Sequence, residues 1–190
     1  MENSSKPIVR LESETQLRIY MLPLRQKILR TMRILGTPVT AKRIADMLSL
    51  SPSSARHHLL RLREIGLVEH DHFEMVNGIR AEYLRPADVN VSIGTNTIDA
   101  LSEDREALTA AMLAGVSQRF QESLGTQREL GTVDPSIFRG DFLGGIAHLN
   151  QEDAQKFYHL VREFLDTHST KRSDSDTAWE YALVMYEVDM

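Results

Sequence analysis

The chain has no cysteine in its 190 residues, which excludes disulfides, thiolate metal sites and thiol redox chemistry and leaves seven histidines as the soft ligands on offer. No run reaches the roughly 18 apolar residues that a membrane-crossing helix needs. The opening residues, MENSSKPIVRLE, lack the apolar segment of a signal peptide, so the expectation is a soluble cytoplasmic protein with no membrane partner. Also missing are a Gly-rich phosphate loop, a Gly-x-Ser-x-Gly elbow and any His-x-x-x-His or Cys-x-x-Cys pair. No enzyme and no cofactor are expected.

What is present divides by charge. The net charge of -5 conceals a first half, residues 1–89, with 14 Lys/Arg against 10 Asp/Glu, and a second half, residues 90–190, with 8 against 17. A basic part joined to an acidic part fits a duplex-binding domain followed by a domain with another task. The expected division is therefore a DNA-binding domain over 1–89 and a dimerisation and effector domain over 90–190.

The chain is organised around residues 48–70, LSLSPSSARHHLLRLREIGLVEH. Ser51 is a good N-cap and Pro52 a good first helical residue, since proline has no N–H to leave unpaired and its φ is already helical. Ala55, Leu59 and Leu62 recur at helical spacing and predict a buried face, with His58 beside it as a structural histidine. Ser53, Ser54, Arg56, His57 and Arg61 fall elsewhere on the helix, and hydroxyl, imidazole and guanidinium groups there suit phosphates and base edges in a major groove. Leu60 falls nearer the outward face than a leucine should.

Upstream, Ile8 to Met21 is ambiguous, with Leu11, Leu17, Tyr20 and Met21 suited to an initial helix. Leu24, Ile28, Met32 and Leu35 then form a helical stripe stopped by Gly36, and Thr40 caps a short helix with Ile44, Ala45 and Leu48 inward. Downstream, residues 67–76 and 79–85 read as strands joined by Asn77-Gly78, a strong signal for a two-residue hairpin turn. Helices followed by a hairpin predict a winged helix-turn-helix, with Asn77 and Arg80 at the wing.

The segment PLRQKILRTMRILGTPVTAKRIADMLSLSPSSARHHLLRLREIGLVEHD resembles the DNA-binding domain of bacterial ArsR-type regulators. The matching positions are Pro23 with Arg25, Thr40 to Ala45, and His58-Leu59 through Leu62 to Gly66-Leu67-Val68. The resemblance covers about residues 20–86 and implies a homodimeric transcription regulator acting on double-stranded DNA. The founding metal sensors of that family use cysteines, and this chain has none. His70, His72 and Glu74 would share one face of a regular strand and could hold zinc or nickel. A solvated hairpin face shows the same alternation, and no metal site is expected.

Past Pro86 a polar connector, with a short strand at 89–93, leads to a helix over 102–124. Leu108, Met112, Leu113, Val116 and Phe120 give it an apolar side, and Ala110, Ala111, Ala114 and Gly115 fill the gaps, so it must be covered on more than one side. A second subunit or the C-terminal half could supply the cover, and the former is the expected dimerisation contact. The end of the chain reads as a small strand-helix-strand module: a strand over 141–149, a helix capped by Asn150 and a strand over 179–188. The aromatics there suit a plain core, and the alternative is a small-molecule effector pocket between Gly144, Gly145, Phe157 and Trp179, where glycines allow close approach and aromatics make walls. The fold class is thus mainly α with α+β elements. Its function is read as sequence-specific DNA binding by a homodimer on an inverted-repeat operator. The alternative is a winged-helix protein-interaction module that does not bind DNA specifically.

Overall fold

The computed structural model describes residues 6–95, 97–129, 131 and 137–188. Its elements in chain order are β1 (Ile8–Arg10), α1 (Glu14–Met21), α2 (Pro23–Leu35), α3 (Ala41–Leu48), α4 (Pro52–Glu64), β2 (Val68–Val76), β3 (Ile79–Pro86), β4 (Asn90–Ser92), α5 (Ser102–Glu129) and α6 (Gln151–Thr167). No described helix is long and apolar enough to cross a membrane.

Local chemistry sets the helix ends. Ser13 and Gln16 form a capping box at α1, in which the Ser13 hydroxyl accepts from the Gln16 N–H at 3.2 Å and the Gln16 side-chain Oε1 accepts from the Ser13 N–H at 3.1 Å. Gly36 ends α2 at φ 62, where its N–H returns to the Met32 carbonyl at 3.1 Å. Thr40 caps α3 through the Arg43 N–H, and Ser51 caps α4 through the Ser54 N–H at 3.1 Å. Between the two, Ser49 adopts a left-handed φ of 55, which turns the chain from α3 into α4.

The core joins these pieces. Ile28 and Met32 of α2, Ile44 of α3, and Ala55, Leu59 and Leu62 of α4 have no accessible surface and belong to one hydrophobic cluster. The hairpin β2–β3 is antiparallel from Val68↔Pro86 to Val76↔Ile79, and Asn77 (φ 51) and Gly78 (φ 78) supply the two positive φ angles of a type I′ turn. Val39, between α2 and α3, exchanges both backbone hydrogen bonds with Leu84 at 2.8 Å, which fastens the hairpin to the helices. Helices α1 to α4 with this hairpin are the expected winged helix-turn-helix.

The ambiguous stretch from Ile8 to Met21 divides in two: β1 pairs in parallel with β4, and α1 starts only after the Ser13 cap. Because β4 lies at 90–92 and both Arg105 and Leu108 are buried, the chain continues to contribute to this module past residue 89. Arg105 is held by Asp99 through two hydrogen bonds of 2.6 and 3.0 Å, which fix the first turn of α5.

Helix α5 runs to Glu129, five residues past its expected end, and Gly125 does not stop it. Helix α6 forms as expected under its Asn150 cap, with no buried residue. The expected strands on either side of it do not form: neither 141–149 nor 179–188 has strand structure. A strand is stabilised by pairing, and neither segment is paired with a described strand. The C-terminal part is attached instead by polar contacts. Arg30 of α2 and Arg119 of α5 each hold the Glu180 carboxylate with two hydrogen bonds of 2.8 to 3.0 Å. Those bonds, that from Arg30 foremost, lower the Glu180 pKa to about 2. Asn90 donates to Asp166 at 3.1 Å, and Lys6 bridges Asp88 and Ser169.

Leu59→Ala should lower the unfolding free energy by about 2–5 kcal/mol, the range for deleting a fully buried leucine side chain. Urea unfolding of the full chain checks this. A loss below about 1 kcal/mol would show that α4 is not packed as described.

Candidate nucleic-acid interface

The core directs α4. With Ala55, Leu59 and Leu62 turned inward, Ser53, Arg56 and His57 are left exposed, Ser54, Leu60 and Arg61 are half-buried, and Arg63 and Glu64 are exposed towards the C-terminus. Among the described residues Arg56 and His57 have no ionic partner, so their charge or hydrogen-bonding capacity is available to a ligand. Ser53 shares a hydrogen bond with the capping Ser51 at 3.0 Å, so the cap and the first outward hydroxyl act together. Arg61 is paired with Glu64 at 2.5 Å and must leave it to meet a phosphate. The pair is partly exposed, and exposed pairs are worth about 0–1 kcal/mol, so the exchange costs little.

The wing is held beside α4 by a contact that the sequence pattern does not announce. Arg63 donates to Glu82 of β3 at 2.8 Å, which joins the C-terminal turn of α4 to the hairpin. Cross-strand pairing puts Arg80 on the same face of the hairpin as Glu82, and Arg80 lies 3.8 Å above the centre of the Phe73 ring. That cation–π contact steadies an exposed arginine on the side facing α4. Asn77 sits at the tip, where its positive φ builds the turn.

The expected alignment of His70, His72 and Glu74 is broken. A bulge lies between His70 and His72, so that His70 pairs with Leu84 and His72 with Tyr83. An inserted residue in one strand reverses the alternation beyond it, which places the two histidines on opposite faces. His70 lies 4.4 Å from the Phe73 ring, whereas His72 stacks on Tyr83 at 4.5 Å and bonds Asp71 at 2.6 Å. Among the described residues no cluster of three His, Cys, Asp or Glu is arranged to hold a metal ion.

Two basic groups, Arg25 of α2 and His58 of α4, sit close to the core side of α4. Arg25 of α2 is buried and donates to the Ile19 carbonyl at 3.1 Å, tying α2 to the end of α1. Burial, and then the nearby Arg61, lowers its pKa. His58 has a buried Nδ1 without a partner, and its pKa is lowered by burial and then by Arg25 and His57. It is the packed histidine that its place beside the stripe indicates.

Of the residues expected at a dimer contact, Leu108 is spent on the core of its own chain. Val116 and Phe120 are half-buried, and Met112 and Leu113 are exposed together with Ala110, Ala111 and Ala114. Of those expected to line an effector pocket, Gly144, Gly145, Phe157 and Trp179 are all exposed. Trp179 stacks on Phe138 at 5.6 Å, and a side chain at Gly145 would meet nothing within 4 Å.

Residues 23–70 match the family model described as bacterial regulatory protein, arsR family. This segment is an ArsR-type helix-turn-helix. It contains α2, α3, the Ser49 turn and all of α4, so the match covers the helices whose packing aims Arg56 and His57 outward. No curated protein matches the chain. The ArsR-type segment supports a DNA-binding transcriptional regulator.

The His58 environment has a consequence for pH. Its folded pKa lies below the unfolded value, so its contribution to stability is present above about pH 6.5 and is lost as pH falls through the folded pKa. His58→Leu should therefore lose less stability than the parent protein between pH 7.5 and 5. Urea midpoints at the two pH values measure this, and equal losses in the two proteins would contradict it.

Proposed function

We propose that the protein is a homodimeric transcriptional regulator that binds an inverted-repeat DNA operator, with α4 in the major groove of each half-site and the wing on the flanking backbone. The observation that carries the reading is the pairing of exposed, unpartnered Arg56 and His57 on the outward face of a core-locked helix with Arg80 on the adjacent face of the wing. Arginine reads guanine in the major groove through two hydrogen bonds, and a wing arginine meets phosphate or the minor groove. The acidic balance of residues 90–190 favours keeping the second half away from the duplex. Dimerisation falls to α5. Ala110, Ala111, Met112, Leu113 and Ala114 are five consecutive exposed apolar residues, and small side chains allow a second helix to approach closely. Two copies related by a twofold axis would address half-sites about one helical turn apart.

The test begins with selection of binding sites from random duplexes. The expected product is an inverted repeat with half-site centres about 34–36 Å apart or a multiple of that spacing. On that site the triple variant of Arg56, His57 and Arg61 to alanine should lose binding. Arg80→Ala should reduce the salt slope of log affinity by about one unit with the same preferred site, because a phosphate contact releases counterions and carries no base information. Unchanged affinity in the triple variant would mean that α4 does not face the DNA.

A further inference from the structure

The chain exposes 14261 Å². A compact folded monomer of its 21.6 kDa would expose about 9,000 Å² by the scaling of surface with mass. The excess, about 5,000 Å², is several times the ~800 Å² that each partner buries in a standard interface. A seam along α5 cannot remove it, because a helix of 28 residues is about 42 Å long and about 10 Å across. Much of the remaining apolar surface lies in the C-terminal part, where Tyr186 is 76% exposed and Phe142 78%.

Residues 179–188, WEYALVMYEV, have the sequence of a strand buried on both faces: Tyr181 and Leu183 on one side, Val184 and Tyr186 on the other. Among the described residues the segment has no strand partner, and these side chains are exposed. It is nevertheless fixed in place, since Glu180 is gripped by Arg30 of the helix-turn-helix module and by Arg119 of α5. We propose that residues 179–188 present an edge to which the same residues of a second copy add in antiparallel fashion across the twofold axis, continuing the interface that α5 begins.

A second copy is the occupant that the chemistry favours. Twofold apposition of identical segments gives each the backbone donors and acceptors the other lacks. The segment is anchored to Arg119 on the same helix that carries the exposed residues 110–114, so one helix serves both surfaces. Its charges do not oppose self-association: Glu180 is neutralised by two arginines, which leaves Glu187 as the other acid in the segment. The inference rests on the homodimer reading and specifies its surface.

The absence of cysteine makes the test direct. In antiparallel self-pairing of residues 179–188 the twofold axis passes between Leu183 and Val184, so each faces the other residue of the second copy, and oxidation of an equimolar mixture of Leu183→Cys and Val184→Cys chains should give a disulfide-linked dimer. Val184→Pro, at a side chain that is 58% exposed, removes a backbone donor at little loss of packing within the chain. It should weaken dimerisation at least ten-fold in sedimentation, with circular dichroism and DNA-domain melting unchanged. If the native chain is a dimer but the mixture of the two cysteine variants does not cross-link, this surface is wrong while the dimer reading stands. If the native chain is a monomer at micromolar concentration, both are wrong.

Discussion

The buried stripe of α4 is the constraint on which the rest of the N-terminal module depends. Ala55, Leu59 and Leu62 are sealed against Ile28, Met32 and Ile44. Rotating α4 by one residue would bury an arginine or a histidine in place of an apolar side chain, at a cost well beyond what any surface contact returns. The apolar packing therefore decides which side chains face outward, and the caps decide only where the helix begins. The wing follows from the same arrangement, because Arg63 lies on the part of α4 from which it reaches Glu82, and Val39 reaches Leu84 from the link between the two preceding helices. An outward cationic face of this kind is a by-product of a small, sealed core.

The second half of the chain obeys a different logic. Its first turn is locked by Arg105 with Asp99 and by the burial of Leu108, and beyond that point few apolar groups are sealed within the chain. Charged contacts replace packing: Glu180 with two arginines, Asp166 with Asn90 and Lys6 with Asp88. Contacts of this kind orient a segment without supplying much net stability. They set the C-terminal part against α2 and α5 while leaving its apolar side chains uncovered, an arrangement suited to completion by another copy.

Much of the helix-turn-helix was legible in the sequence because its determinants are local. Ser51-Pro52, Thr40, Gly36 and Asn77-Gly78 each act within four residues, and the apolar spacing of α2 and α4 identifies the core directly. The features that were not legible depend on partners distant in sequence or on a single inserted residue. Three residues of β1 are a strand only because Asn90 to Ser92 lie beside them. The bulge at Asp71 reverses the faces of His70 and His72, which a plain alternation rule places together. Residues 141–149 and 179–188 have the composition of strands but are paired with no strand among the described residues, so composition alone overstated them. Of the interface, the cations were legible, whereas the pairing of Arg61 with Glu64 and the seat of Arg80 on Phe73 required the structure.

The central claim is that α4 and the wing together form the DNA-contacting surface. Backbone amide shifts of the isotopically labelled full chain, recorded while short random-sequence duplex is added at low salt, test it most directly. The account predicts perturbations concentrated in residues 51–64 and 72–82 that disappear as salt is raised, since nonspecific binding is dominated by phosphate contacts. Perturbations confined to α5, α6 or residues 179–188, with α4 unchanged, would contradict it.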